Sequence, residues 1–190
     1  MQDINTFQLF DRISTIMRAD ERKKYAAIGL QPVHGQVLEY LSICNSFSDT
    51  LIAVAEYLNL TKGTVSQSIQ DLQRKGYIEK QQDEEDRRIT HLRLLPAGES
   101  LLKEYKPVDF FDQASINTSS QCSRALTDFL NNTLSALQQA NKARTFGVCH
   151  SCHYFCTRDS YYHCSGFSDY IILSTEINKI CKEHIPKYSN

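Results

Sequence analysis

Two stripes of apolar residues at helical spacing frame this chain, and neither fits inside one small core. Residues 3 to 28 set Ile4, Phe7, Leu9, Phe10, Ile13, Ile16 and Met17 along a single face, broader than a solvated surface helix needs. Residues 119 to 143 repeat the device with Leu126, Phe129, Leu130, Thr133, Leu134, Leu137 and Ala140, one stripe over about six turns. A helix that long with one apolar side needs a groove, and a partner subunit would supply it. Between the two stripes the period stays helical. Pro32 to Cys44 places Val33, Val37, Leu38, Leu41 and Cys44 on one side with Pro32 in the first turn, and Cys44 reads as a small buried hydrophobe. Asp49 to Leu58 offers Leu51, Ile52, Val54, Ala55 and Leu58, with the small Ala53 and Ala55 allowing a close crossing. Asn59 and Leu60 then form a short interhelical turn.

The next segment is the most informative. In T-K-G-T-V-S-Q-S-I-Q-D-L-Q-R-K-G, residues 61 to 76, Thr61 is placed to cap a helix and Gly76 to end it in a left-handed conformation. Val65, Ile69 and Leu72 make a narrow buried stripe, while Gly63, Gln67, Gln70 and Arg74 face the other way. That outer face is polar but hardly charged. Thr64, Ser66, Gln67, Ser68 and Gln70 are the hydroxyl and amide side chains suited to base edges in a major groove. After Gly76 the period changes to two: Y-I-E-K-Q-Q, a charged tip D-E-E-D-R-R at 83 to 88, then I-T-H-L-R-L-L, a hairpin with a long tip. Such a tip can lay Arg87 or Arg88 into a minor groove, with Asp86 fixing the arginine fork. Helix, turn, second helix and hairpin make a winged helix-turn-helix. Lys62 and Arg74 are its phosphate contacts, and Thr61 flanks the reading surface.

Charge alone would not have suggested nucleic acid. The net charge is −1, and residues 50 to 95 hold seven Lys or Arg against seven Asp or Glu, so the expectation rests on pattern. The start M-Q-D-I-N has neither a basic region nor an apolar core, and no apolar run approaches a membrane span. A cytoplasmic protein is expected. In a reducing compartment its seven cysteines point to metal or thiol chemistry rather than to disulfides.

The recognition helix ending L-x-R-K-G-Y-I, the wing D-E-E-D-R-R, and I-T-H-L-R-L-L-P-A-G opening another helix resemble the MarR family of bacterial transcription regulators. The resemblance covers roughly residues 4 to 142, and the stretch from wing to helix carries most of it. One departure is Leu95-Pro96, where the family more often has a Thr cap. The resemblance implies a homodimer whose first and last helices interlace, a double-stranded operator with palindromic half-sites, repression as the usual outcome, and a small-molecule, metal or redox effector. The fold class expected is mainly α (α+β), with long N- and C-terminal dimerisation helices. After the wing, Pro96 to about Tyr105 reads as a short helix stopped by Pro107, and the connector beyond it carries Phe110 and Phe111 as plugs. Cys122, near the start of the last long helix, reads as a half-buried packing residue.

Residues 146 to 190 depart from that pattern and are expected to form a second unit beside a 1 to 145 body. Five of the seven cysteines and four of the six histidines lie here. Cys149 and Cys152 form C-x2-C, the spacing at which one turn aims two thiolates at a single ion, and Gly147 is expected to give the chain freedom to begin that turn. Cys164 and Cys181 complete a four-thiolate set. Cys156, His150, His153, His163 and His184 are spare, the histidines being candidates for supporting contacts. Zinc and an iron–sulfur cluster both accept four cysteines, and the spacing does not choose between them. The aromatic residues around the cysteines indicate a small folded cap that needs a staple. Metal there would pin the cap against the long last helix. No segment sets a nucleophile, base and orienting acid in a catalytic motif, so no enzyme is expected. The competing functions are a metal- or cluster-carrying redox protein or enzyme, and a protein-interaction module, each on a winged-helix body.

Overall fold

Apolar residues from Tyr25 to Leu101 close on one another around two buried tyrosines, Tyr25 and Tyr40. In a computed structural model, which describes residues 5–104, 120–141, 143–167 and 170–187, α1 (Thr6–Ala27) begins at Asn5. The Asn5 side chain accepts from the Gln8 N–H while Gln8 Oε1 accepts from the Asn5 N–H, both at 2.9 Å, a reciprocal cap. The helix delivers Tyr25 into the core beside α2 (Pro32–Ile43). The core is built from Leu30, Val37, Leu38, Tyr40, Val54, Val65, Ile69, Leu72, Ile78 and Leu92.

The helix-turn-helix follows. α3 (Leu51–Tyr57) is capped by Thr50 and α4 (Lys62–Arg74) by Thr61, whose hydroxyl accepts from the Thr64 N–H at 3.2 Å. Between them Asn59 takes a left-handed φ of 53°, which Asn tolerates better than most residues. Gly76 ends the pair of helices at φ 74°. β1 (Ile78–Gln82) and β2 (Thr90–Leu94) pair antiparallel, Ile78 opposite Leu94 and Gln82 opposite Thr90, and α5 runs Pro96–Glu104. α6 (Ser120–Ala140) carries no buried side chain among those described.

Several expectations change here. Ile52, assigned to the core, is 48% exposed; the small Ala53, fully buried, takes that place at the helix crossing. Cys122 is exposed rather than half-buried, on a helix with no buried side chain among those described. Ile4, Phe110 and Phe111 lie outside the described residues. Cys44 is buried as expected, its thiol directed at the Leu41 carbonyl, and burial pushes it up to about 12.

The C-terminal segment folds into two small sheets. β3 (Gly147–Val148) pairs with β7 (Ile180–Cys181), and β4 (Phe155–Arg158), β5 (Tyr161–Cys164) and β6 (Tyr170–Ile172) form a meander. Its own core is small: Cys149, Ile172 and Cys181 are buried, with Phe155, Tyr162, Cys164 and Ile177 packed against them. Gly147 has a different role from the expected one. Its backbone is extended, and a Cβ there would overlap the His184 ring, so the glycine allows close approach rather than a turn.

Candidate functional site

Two sites assemble on this frame, one polar surface and one cysteine-lined cavity. On α4, Val65, Ile69 and Leu72 are fully buried, and the remainder of the helix turns outward. Lys62, Thr64, Gln67, Gln70 and Arg74 are exposed and Ser66 half-exposed, but Ser68, expected on the outer face, is buried with its hydroxyl donating to the Thr64 carbonyl at 3.0 Å. Asp71, the one acid of the helix, is occupied: Arg74 pairs with it from three residues on, Gln67 donates to it at 3.4 Å, and His34 Nε2 lies 3.7 Å away. Its charge is thereby largely balanced where an anion would approach. Thr61 spends its hydroxyl on the cap and on Thr64 Oγ1, 2.9 Å away.

The wing is organised the same way. Asp83 accepts from the N–H groups of Glu85 and Asp86 at 2.9 and 2.6 Å and folds the tip. Asp86 receives the Arg88 fork, Nε at 2.9 Å and the terminal nitrogen at 2.7 Å, which holds its carboxyl down at about 2. Arg87 is exposed beside it. At the wing's base His91 lies between two carboxylates, Nδ1 against Asp49 and Nε2 3.0 Å from Asp83. Burial opposes charge on the imidazole, yet the bonds to Asp49 and then Asp83 outweigh it and His91 is raised. Asp49 is raised as well, because burial outweighs its bond to His91. The bracketing geometry, with an acceptor on each ring nitrogen, favours the charged imidazole.

The second site is a cavity of about 20 Å³ whose walls include Cys149, Cys152, Cys164 and Cys181, with Asn45, Phe47, Phe155 and Phe167. All four cysteines singled out from the sequence converge there. Cys149 and Cys152 bracket a single 3₁₀ turn, closed by the Cys152 N–H donating to the Cys149 carbonyl at 2.9 Å. Strand alternation separates the other candidates. Phe155 opposite Cys164 shares the cavity face of the meander, whereas Cys156 opposite His163 lies on the other face. His150 and His153 are exposed. His184 is half-buried, bonded to Thr145 Oγ1 at 3.1 Å and Ser151 Oγ at 2.9 Å, and so braces the C-x2-C turn from outside the cavity.

Within the cavity the Cys149 thiol donates to Cys181, which with burial raises Cys149; Cys181 is lowered by that bond, with help from the Asn45 amide and the Glu183 N–H. Burial raises Cys164, which also feels the neighbouring Cys152 and Cys181. Among the described residues, no three His, Cys, Asp or Glu side chains are arranged to hold a metal ion as they stand.

Sequence reasoning missed Asn45. It belongs to the body, in the segment between α2 and α3, and its amide donates to Cys149 Sγ at 3.4 Å. An asparagine in a loop, 104 residues from its partner, leaves no spacing signal.

The body thus has the architecture of a winged helix-turn-helix protein with long flanking helices. Residues 28–89, from the end of α1 to the wing, match the model of the MarR family. Among solved structures, a complex of Staphylococcus aureus MepR with DNA is similar at 24% identity and a TM-score of 0.60, over 73% of this chain and all of that one. MepR solved as a transcription regulator of the S. aureus multidrug efflux pump MepA is 25% identical, with a TM-score of 0.53 over 70% of this chain and 99% of that one. A MarR-family transcriptional regulator from Silicibacter pomeroyi is 24% identical, with a TM-score of 0.60 over 68% and 87% of the two chains. Comparison with curated proteins finds no match. The fold is therefore a MarR-like winged helix. No described helix is long and apolar enough to cross a membrane.

Proposed function

We propose that this chain is a MarR-type DNA-binding transcription regulator, a repressor acting as a homodimer on a palindromic operator, with a zinc ion held by Cys149, Cys152, Cys164 and Cys181. The carrying observation for DNA is the outer face of α4, polar and nearly uncharged with its one acid neutralised from within, set beside a wing whose arginine is already oriented. MepR, alike in fold, was solved on DNA, which supports the same use here. Thr64, Ser66, Gln67 and Gln70 meet base edges, Lys62 and Arg74 the phosphates, and Arg87 and Arg88 the minor groove.

Four thiols around one cavity support the metal. About 20 Å³ is room for one atom-sized occupant, which favours a single ion over an iron–sulfur cluster. Tetrahedral thiolate ligation would then be completed by side-chain movement within the cavity, with loss of the thiol protons.

Selection of an operator from random DNA, followed by anisotropy titrations, tests the first part. Gln67→Ala is expected to relax preference at one base position by about 1–3 kcal/mol, and Arg88→Ala to weaken binding most at A·T-flanked sites. Equal losses on selected and random DNA for both variants contradict these roles. Metal content tests the second part. Wild type and Cys156→Ser are expected to hold one zinc per chain, and Cys149→Ser and Cys152→Ser none. A brown protein with an iron–sulfur spectrum would overturn zinc.

A further inference from the structure

The cap was expected to lean on the long helix α6. Among the described residues the C-terminal end of that helix is tied to the lead-in of the cap through the Gln138 amide, which donates to the Thr145 carbonyl at 2.9 Å. The main contact lies elsewhere. Residues Asn45 to Ser48, which join α2 to the helix-turn-helix, are bound along their whole length to the cap. The Asn45 N–H donates to the Ile180 carbonyl at 2.9 Å, the Ser46 N–H to Glu176 Oε1 at 3.0 Å, and the Lys182 N–H to Ser48 Oγ at 2.9 Å. The Phe47 ring stacks on Phe167 with centroids 4.3 Å apart and meets Tyr170 edge-on at 4.7 Å. The Ile180 acceptor and the Lys182 donor flank Cys181 itself.

The same segment is anchored just as firmly to the DNA-facing side. Ser48 is fully buried; its hydroxyl donates to Asn45 Oδ1 at 2.6 Å and its carbonyl accepts from Tyr40 Oη at 2.8 Å. The next residue, Asp49, accepts the Leu92 N–H at 2.7 Å and binds His91 in the wing strand. Thr50 follows as the cap of α3. Five residues therefore connect the cysteine cavity to both the start of the helix-turn-helix and the base of the wing.

We propose that metal in the four-cysteine cavity fixes the Asn45–Asp49 segment through Asn45, and so sets the helix-turn-helix and wing of the same protomer in their DNA-binding arrangement. This rests on the zinc and DNA readings given above. A metal-bound thiolate is a stronger acceptor than a thiol, so the Asn45 amide is held harder when the site is filled. Among the described residues the cap buries little more than Cys149, Cys152, Ile172 and Cys181, too few to hold 176 to 182 in place without a staple. Loss of metal loosens that stretch, frees the segment it grips, and leaves α3 and the wing base less ordered. The metal acts within one protomer, by a path that does not pass through the dimer helices, and the metal-bound form is the one that binds DNA.

Coupling of this kind is reciprocal, which supplies the test. Full-length protein is stripped with a chelator, then titrated with zinc or cobalt(II) with and without the selected operator fragment, at a temperature where circular dichroism shows both forms folded. Metal is expected to tighten DNA binding roughly ten- to hundredfold, and DNA to tighten metal binding by the same factor. Glu176→Ala, which keeps all four cysteines and Asn45, is expected to give the cobalt–thiolate spectrum yet to lose most of both effects, and Asn45→Ala to weaken metal binding as well. Hydrogen exchange at residues 45 to 55 is expected to slow on adding metal in wild type only. If metal binds and lowers neither the DNA dissociation constant nor the exchange of that segment, the coupling is overturned while the zinc site stands, and the metal is a passive staple. If no cobalt–thiolate spectrum develops, the zinc site fails and the coupling with it. If metal binds and no DNA is selected, the DNA reading is what fails.

Discussion

His91 is the residue on which the wing's base turns, since each ring nitrogen meets a carboxylate from a different direction: Asp49 from the segment before α3 and Asp83 from the wing tip, with Arg93 near Asp49 on the same strand. Its folded pKa is raised, so the stabilisation it brings is fully present below the unfolded value, about 6.5, and is lost as pH rises through the folded value. A side chain about one-fifth exposed warrants a discounted figure, about 1 kcal/mol. Urea unfolding of wild type and His91→Gln is expected to differ by that amount at pH 6 and to converge toward pH 8. A gap that widens with pH would contradict the assignment. Residues of this kind were poorly legible in the sequence. Cys149 and Cys152 could be read because a two-residue spacing is local chemistry. The sequence expectation sets Cys164 above Cys156, but the physical reason, strand pairing that sets Phe155 opposite Cys164 and Cys156 opposite His163, is a register that two tightly spaced short strands do not announce. Asn45 and Ser48 could not be read at all, because what makes them functional is their contact with a segment over a hundred residues away.

At the scale of elements, the body was legible wherever a cap or a period carried the signal. α4 begins after Thr61 and ends before a left-handed Gly76, and the wing strands fall where the apolar period becomes two. Thr61→Ala is expected to cost about 1 kcal/mol through loss of the cap, read as a shift of the urea midpoint, with α4 fraying at the end that carries Lys62 and Thr64. The cap's strands, two to four residues long, are too short to show a period, and only the density of cysteines and aromatics marked them. That is why Gly147 was misread as a hinge when it is a gap for the His184 ring. Gly147→Ala is therefore expected to push His184 off Ser151, tilt the C-x2-C turn and weaken zinc binding roughly tenfold, about 1.4 kcal/mol, in a competition titration against a chromophoric chelator. An unchanged zinc affinity would mean the brace from His184 is dispensable.

Two apolar helix faces are uncovered among the described residues. Phe7 is 78% exposed, and Leu9, Phe10, Ile13 and Ile16 continue that apolar face along α1; Leu126, Phe129, Leu134 and Leu137 do the same on α6, where Leu134 and Leu137 are more than half exposed. Two apolar stripes on helices of 22 and 21 residues leave more uncovered surface than a soluble monomer ordinarily tolerates. Pairing two copies through these helices covers it and brings two α4 helices to one side of the particle, the arrangement that reads half-sites roughly 34 Å apart. Light scattering at micromolar concentration is accordingly expected to give twice the chain mass, and Phe129→Glu with Leu134→Glu to give a folded monomer with an unchanged winged-helix signature in far-ultraviolet circular dichroism. Each half-site would then bind alone, and the affinity gained by joining two reading heads, commonly a hundredfold or more, on the order of 10²–10⁴, would vanish on the full palindrome while the affinity for a single half-site stayed the same. A wild-type monomer at these concentrations, or a double variant that retains full palindrome affinity, would refute the idea that α1 and α6 hold the two reading heads together.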